Sequence, residues 1–298
     1  MAQTIREGRV GDSVTPVSSM RLPVHTVAVC LILACYACGR VLQVVHGPPA
    51  ITALVAMEVF SAFALALVDG AHAWGMRGIL VFAAICTVVG NVVENIGVAT
   101  GFPYGRYQFL AIMGPKLLVV PVLLGLAYIG MAYASWTLGS VLVGRAWGAG
   151  SRARMLAVPF VAAFFMTAWD VAQDPVWSTM LHAWAWRDGG PWFGVPLENY
   201  FGWFLNVFLI FFLFALYEAA AKLERAASAW PALALYVLCA AGNALQLLTR
   251  RYPPLSVDAS GRAWRTADIL AASAVTSILL MGGLAAMAAA KMHNRARG

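Results

Sequence analysis

The chain has 298 residues, of which 61% are hydrophobic and only 11% charged, with a mean hydropathy of +0.76. Soluble domains carry about 25% charged residues, so the composition excludes a soluble globular fold and predicts an all-α polytopic transmembrane helix bundle. The net charge of +7 sits in loops that lack the interleaved aromatics of a nucleic-acid surface, which argues against nucleic acid as a partner and leaves the lipid bilayer as the surrounding medium.

In chain order, residues 1–20 are polar and read as a disordered N-terminal tail without a cleavable signal, followed by a single transmembrane domain over 21–291 and a C-terminal tail over 292–298. Crossing a bilayer takes roughly 20 apolar residues. Runs of that kind fall at 24–44, 50–68, 79–99, 115–142, 153–181, 201–221, 229–249 and 267–290, which predicts about eight helices, with seven possible. With eight, and leaving aside Arg40 at the end of the first helix, the face holding both termini carries 12 basic residues against 7 opposite, which places the protein in the cell membrane with cytoplasmic termini. The five cysteines are odd in number, and Cys30, Cys35, Cys86 and Cys239 lie well inside apolar spans, so they read as small hydrophobes in helix packing. No internal repeat is evident.

Three constellations carry chemistry. The first is Asn91-Val-Val-Glu94-Asn95, near the end of the third run and just before Thr100-Gly-Phe-Pro-Tyr-Gly-Arg-Tyr107. An ionisable group at that depth costs at least a few kcal/mol and marks a functional site by default. Helical spacing puts Asn91 one turn from Glu94 and Asn95, so the amides are expected to hold the carboxyl. The Gly101–Gly105 stretch reads as a tight turn, with Tyr104 and Tyr107 near the membrane interface. An aromatic belt beside a satisfied helix-end glutamate is the plain alternative.

Next come Trp169-Asp170 and Gln173-Asp174-Pro175-Val-Trp177, deep in the fifth run. Asp170, Asp174 and Trp177 share a helix face, and two carboxyls one turn apart in a low-dielectric setting retain a proton, as a general acid must. Pro175 removes the amide donor to the carbonyl of Val171 and should open the helix. A pair that merely bonds to neighbouring helices is the alternative here.

The third constellation runs from Trp184 and Trp186 through a Gly- and Pro-rich stretch to Asn199, Trp203 and Asn206, spaced i, i+4 and i+7. With eight helices this loop shares a membrane face with the Gly101 loop, and the two could form the mouth of an aromatic cavity above the carboxyls. Interfacial anchoring explains the tryptophans as readily.

Together these residues resemble the membrane carotenoid hydratases of the CruF type, which include bisanhydrobacterioruberin hydratase and gamma-carotene hydratase. The resemblance rests on Glu94 through Tyr107, on Trp169-Asp170 with Asp174-Pro175, and on Trp184-x-Trp186 with Gly194-Val-Pro196-Leu-x-Asn199-Tyr-Phe-Gly-Trp203, and it spans roughly residues 75–225. Phe109 departs from it where a tyrosine is expected. The resemblance implies addition of water to the terminal isoprenoid double bond of a carotenoid, giving a tertiary alcohol without redox chemistry, with other carotenoid-pathway enzymes as possible partners.

The residues suit that reaction. Protonation of the less substituted alkene carbon creates a tertiary cation, which needs a carboxylic acid, an aromatic wall and a positioned water. Glu94, Asp170 and Asp174 are the candidate catalytic residues. Asn91, Asn95, Tyr104, Tyr107, Trp169, Trp177, Trp184, Trp186, Asn199 and Trp203 are the candidate substrate-binding residues. The Asp170/Asp174 pair is assigned as acid and Glu94 as the group that orients water, with the reverse assignment open. No His pair has metal-ligand spacing and no nucleotide fingerprint is present, so neither metal nor cofactor is expected. A proton-coupled transporter using Glu58, Glu94, Asp170 and Asp174, and a non-catalytic carotenoid carrier, are the alternatives. Glu58 belongs to no motif, and Asp69 with His72 reads as a solvated turn.

Overall fold

A computed structural model describes residues 23–47, 51–145, 151–225, 227–249 and 251–297. The tail expected over 1–20 lies outside them. Among the described residues, seven helices are long and apolar enough to cross a membrane, and the chain is an all-α bundle of a multi-pass membrane protein. In order they are α1 (Val24–His46), α2 (Ile51–Thr100), α3 (Val122–Val143), α4 (Ser151–Pro175), α5 (Leu197–Ala221), α6 (Trp230–Leu245) and the pair α7 (Thr266–Thr276) and α8 (Gly282–Arg297), which a π-helical turn at Ser277–Met281 joins into one span. Residues 292–297, expected as tail, continue α8.

The count of seven and the eight runs in the sequence reconcile at α2. Its 50 residues would reach about 75 Å as one rod, more than twice the hydrocarbon thickness. Gly75 breaks it with φ 75° and ψ 162°, a backbone conformation that a side chain resists. The arms fold back on one another: a Cβ at Gly70 would stand 2.6 Å from Ile79, and the rings of Trp74 and Phe82 lie 5.5 Å apart.

Helix α3 is the centre, buried almost without interruption from Leu124 to Val141. Small residues let its neighbours approach, since a Cβ at Gly130 would meet Ala62 at 2.8 Å. The apolar run expected to start this helix at 115 is instead a short β-turn, in which Pro121, held at φ −60° and ψ 133°, delays the helix to Val122. Cys86 and Cys239 are buried as expected, whereas Cys30, Cys35 and Cys38 lie on the outer surface of α1, so only two of the five pack inside.

Near the α2 break, Asp69 is wholly buried, against the expectation of a solvated turn. It accepts from Tyr133 at 2.5 Å and from Arg225 at 2.9 Å, pairs with His25 at 3.3 Å, and His25 stacks on His72. No group of three metal-ligating side chains is placed to hold a metal ion among the described residues.

At the opposite end, three connections form a layer over the bundle. Strand β1 (Tyr107–Phe109) pairs antiparallel with the strand Trp184–Trp186, in the register Tyr107↔Trp186 and Phe109↔Trp184. The third connection is a hairpin of Leu255–Val257 with Ala263–Arg265, and Trp264 packs on Phe193 at 5.4 Å. Asp258 organises its tip, accepting from Ser260 Oγ, Trp264 Nε1 and the amides of Ser260 and Arg262.

Candidate functional site

Beneath that layer the carboxyls of Glu94, Asp170 and Asp174 are all buried. Glu94 leaves the last turns of α2 and is held by two phenols: Tyr128 Oη donates to its Oε1 at 2.6 Å, and Tyr107 Oη donates to its Oε2. Burial first, and then the charge of Glu94, keep the Tyr107 phenol far above its ordinary range, so it stays a proton donor. Asn206 on α5 steadies the phenols, donating to Tyr104 Oη at 2.7 Å and Tyr128 Oη at 3.3 Å.

The expected role of Asn91 and Asn95 is not what the structure shows. Their amides donate to the carbonyls of Thr87 at 3.0 Å and Asn91 at 2.7 Å, each one turn back on α2, and neither bonds Glu94. A short amide side chain reaches its own helix backbone more readily than a carboxyl that points into the bundle.

Asp170 and Asp174 share one partner. Asn199, at the start of α5, donates through Nδ2 to Asp170 Oδ2 at 3.1 Å and to Asp174 Oδ2 at 2.7 Å. Asp174 Oδ1 also accepts from Trp184 Nε1 at 2.8 Å and Trp186 Nε1 at 3.4 Å. The helix opens at Pro175 into a π-helical turn over Val176–Met180, and the carbonyl it frees, that of Val171, accepts from Trp192 Nε1 at 3.4 Å. The tryptophans of this loop therefore act as hydrogen-bond donors to α4 and not as membrane anchors.

Tyr104 and Tyr107 likewise point inward and are buried, in place of the expected interfacial position. Gly101 and Gly105, at φ 84° and 101°, turn the chain as expected, and the β1 pairing then aims both rings at Glu94. Outside, Arg106 Nε donates to Asp188 Oδ2 at 2.7 Å and ties the two loops together, and this hydrogen bond holds the Asp188 carboxyl below its ordinary range.

A cavity with about 20 Å³ open to a water's centre lies between the groups, lined by Glu94, Tyr107, Asp174, Trp186, Asn199 and Trp203. That is roughly the room one water needs. Leu124 and Trp184 separate it from a larger chamber of about 80 Å³, walled by Ala127, Met131, Trp169 and Trp177. Trp169 packs edge-on against Trp203, and Trp177 stacks on Trp184. The expected residues thus divide. Glu94, Tyr104, Tyr107, Asp174, Trp184, Trp186, Asn199 and Trp203 line the carboxyl cavity, Asp170 stands behind Asn199, Trp169 and Trp177 wall the chamber, and Asn91 and Asn95 are not among the residues that line either space.

Tyr128 was not singled out in the sequence, and Asn206 was named in the third constellation but not among the substrate-binding residues. The one sequence signal for Tyr128 is a phenol within an apolar span, where it must find a partner; Asn206 carries the same kind of signal and the helical spacing as well. Tyr128 also stacks on Trp203 with centroids 4.8 Å apart, which joins the two halves of the cavity wall.

No curated protein and no solved structure matches the chain. Residues 50–259, well over half of it, match the model of a family described as carotenoid biosynthesis protein, and all the residues of the cavity fall within that stretch. On that match the chain belongs to the carotenoid biosynthesis protein family.

Proposed function

We propose that this protein is a carotenoid hydratase, adding water across the terminal isoprenoid double bond of an acyclic carotenoid end without a cofactor. The observation that carries the reading is the convergence of Glu94 and the Asp170/Asp174 pair on a water-sized cavity beside an aromatic chamber. A carrier needs the chamber but not the carboxyls.

Asp174 lines the cavity and shares Asn199 with Asp170, so the pair stores a proton and Asp174 delivers it to the less substituted alkene carbon. The π electrons of the double bond form the new C–H bond and leave a tertiary cation. The faces of Trp186 and Trp203 stabilise it. Water held by Glu94 gives its oxygen lone pair to the cation, and Glu94 takes the released proton. Return of that proton to the aspartate pair completes the cycle, so the net change is one water added. The exchanged roles, with Glu94 as acid, use the same geometry. The excess of basic residues on the face of both termini supports cytoplasmic termini in the cell membrane.

The test is mass spectrometry of pigments from a bacterial host that accumulates acyclic carotenoids, with and without the chain. A species heavier by one or two waters is expected, and it should vanish in Asp174→Asn while the protein remains in the membrane. Full conversion by Asp174→Asn removes the aspartate pair from the mechanism, and an unchanged pigment profile with verified expression refutes the assignment for those substrates.

A further inference from the structure

A second polar cluster lies in the wall of the chamber, away from the three carboxyls. Arg40 on α1 donates from one guanidinium nitrogen to Glu58 at 3.0 Å and from the other to Asn243 Oδ1 at 2.5 Å, while Gln246 Nε2 donates to Gln43 Oε1 at 3.0 Å. All five residues are more than nine-tenths buried. Gly242 on α6 makes room for the guanidinium, since a side chain there would collide with Arg40 Nε.

The cluster is incomplete as it stands. Arg40 Nε, Gln43 Nε2 and Asn243 Nδ2 are donors without acceptors among the described residues, and Glu58 Oε1 and Gln246 Oε1 are acceptors without donors. Turning an amide over only exchanges one orphan for the other. Arg40 and Glu58 line the 80 Å³ chamber, and Arg40, Gln43, Asn243 and Gln246 line a smaller space of about 20 Å³ that shares Arg40, Val55, Gln173 and Trp177 with it. Orphaned donors and acceptors side by side ask for one group that both accepts and donates. The paired charges of Arg40 and Glu58 cancel, so nothing in the cluster selects an ionic ligand.

We propose that the Arg40–Glu58–Asn243–Gln246 cluster is a binding site for a neutral hydroxyl group, supplied by water or by an alcohol at the far end of a chain lying in the chamber. The proposal rests on the hydratase reading only for the use made of that hydroxyl, as stored nucleophile or as the handle that sets how deep the chain enters.

Two readouts on the full chain in lipid nanodiscs distinguish the sources. In the first, quenching of tryptophan fluorescence measures binding of retinol, a polyene alcohol, against the same polyene lacking the hydroxyl. Retention of the alcohol by the cluster gives a preference of about tenfold, equivalent to about 1.4 kcal/mol. That preference is lost in the double variant Arg40→Met with Glu58→Leu, which removes both charges together, while hydrocarbon binding is kept. In the second, radiolytic labelling reports water beside buried Cys239, which lines the chamber. Labelling that is present in the parent and lost both in the double variant and in Gln246→Leu, which leaves the ion pair in place, assigns the hydroxyl to water. Either result supports the site. Equal binding of alcohol and hydrocarbon, together with labelling indifferent to the cluster, overturns it. Neither readout involves turnover, so a failure of the hydratase reading is told apart from a failure of this one.

Discussion

Replacing Asn199 by Leu tests the carboxyl cavity where it is most economically built. Leucine keeps the branched four-atom skeleton, though with bulkier methyls, and removes a single amide nitrogen that serves two buried carboxyls, at 3.1 Å and 2.7 Å. Hydrogen bonds to charged groups contribute about 1.5–3 kcal/mol each. Asp174 keeps its two indole donors and the aspartates can turn toward one another, so the net loss should fall below the sum, at roughly 2–4 kcal/mol. For a chain of this size that corresponds to a drop in thermal midpoint of about 5 °C or more. Heating detergent-solubilised protein in steps and following the surviving peak by fluorescence-detected size exclusion measures it. The loss should be smaller in an Asp170→Asn background, because one of the two bonds is already weakened there. Pigment hydration should fall in parallel. An unchanged midpoint with undiminished product would refute the assignment of Asn199 as the clasp of the pair.

Tyr128→Phe keeps the ring on Trp203 but deletes the 2.6 Å donor to Glu94, and it should lower product yield about 10- to 100-fold with a modest change in thermal midpoint. Arg40→Met alone leaves Glu58 buried without its partner and should cost about 3–5 kcal/mol, much of it recovered when Glu58→Leu is added, as thermal midpoints of the three variants will show. For Asp258, burial alone would raise the carboxyl, but hydrogen bonds from Ser260, Trp264 and the Arg262 amide outweigh it and hold the group below its ordinary range. A depressed carboxyl stabilises above its unfolded pKa and loses that contribution as pH falls through the folded value. Amide protection across residues 255–265, taken relative to the unstructured exchange rate at each pH, should therefore hold at pH 5 and fall only below about pH 4. Loss of protection already near neutrality would contradict it.

The spans and the carboxyls were legible in the sequence for the same reason. An apolar run needs lipid, and an ionisable group inside one is costly enough to stand out, as Glu94, Asp170 and Asp174 did. The opening at Pro175 was equally legible, because the lost amide follows from the ring itself. What holds each carboxyl was less so. Tyr128 meets Glu94 across 34 residues, a distance that no local periodicity encodes. Asn91 and Asn95 stand at the right spacing to serve Glu94 but spend their amides on their own helix. Tyr104 and Tyr107 have the composition of an interfacial belt, and only the register of Tyr107 against Trp186 turns them inward. Glu58 was visible as an anomaly, yet its partner Arg40 lies 18 residues away on another helix and is itself held by Asn243, 203 residues further along the chain.

The partners of the intramembrane ionisable groups follow an order that bears on how the chain enters the bilayer. Arg40 on α1 meets Glu58 on α2, Glu94 on α2 meets Tyr107 and Tyr128 at and beyond the next connection, and Asp170 and Asp174 on α4 meet Asn199 on α5. In these three cases a neutralising or hydrogen-bonding group is on the next segment to be synthesised, whereas Asp69 on α2 must wait for Arg225, and Arg40 gains its second partner, Asn243, only with α6. Insertion as successive helical hairpins would therefore present Glu58, Glu94 and the aspartate pair to lipid already partnered, and would leave the Asp69 contact to be closed when the later helices pack.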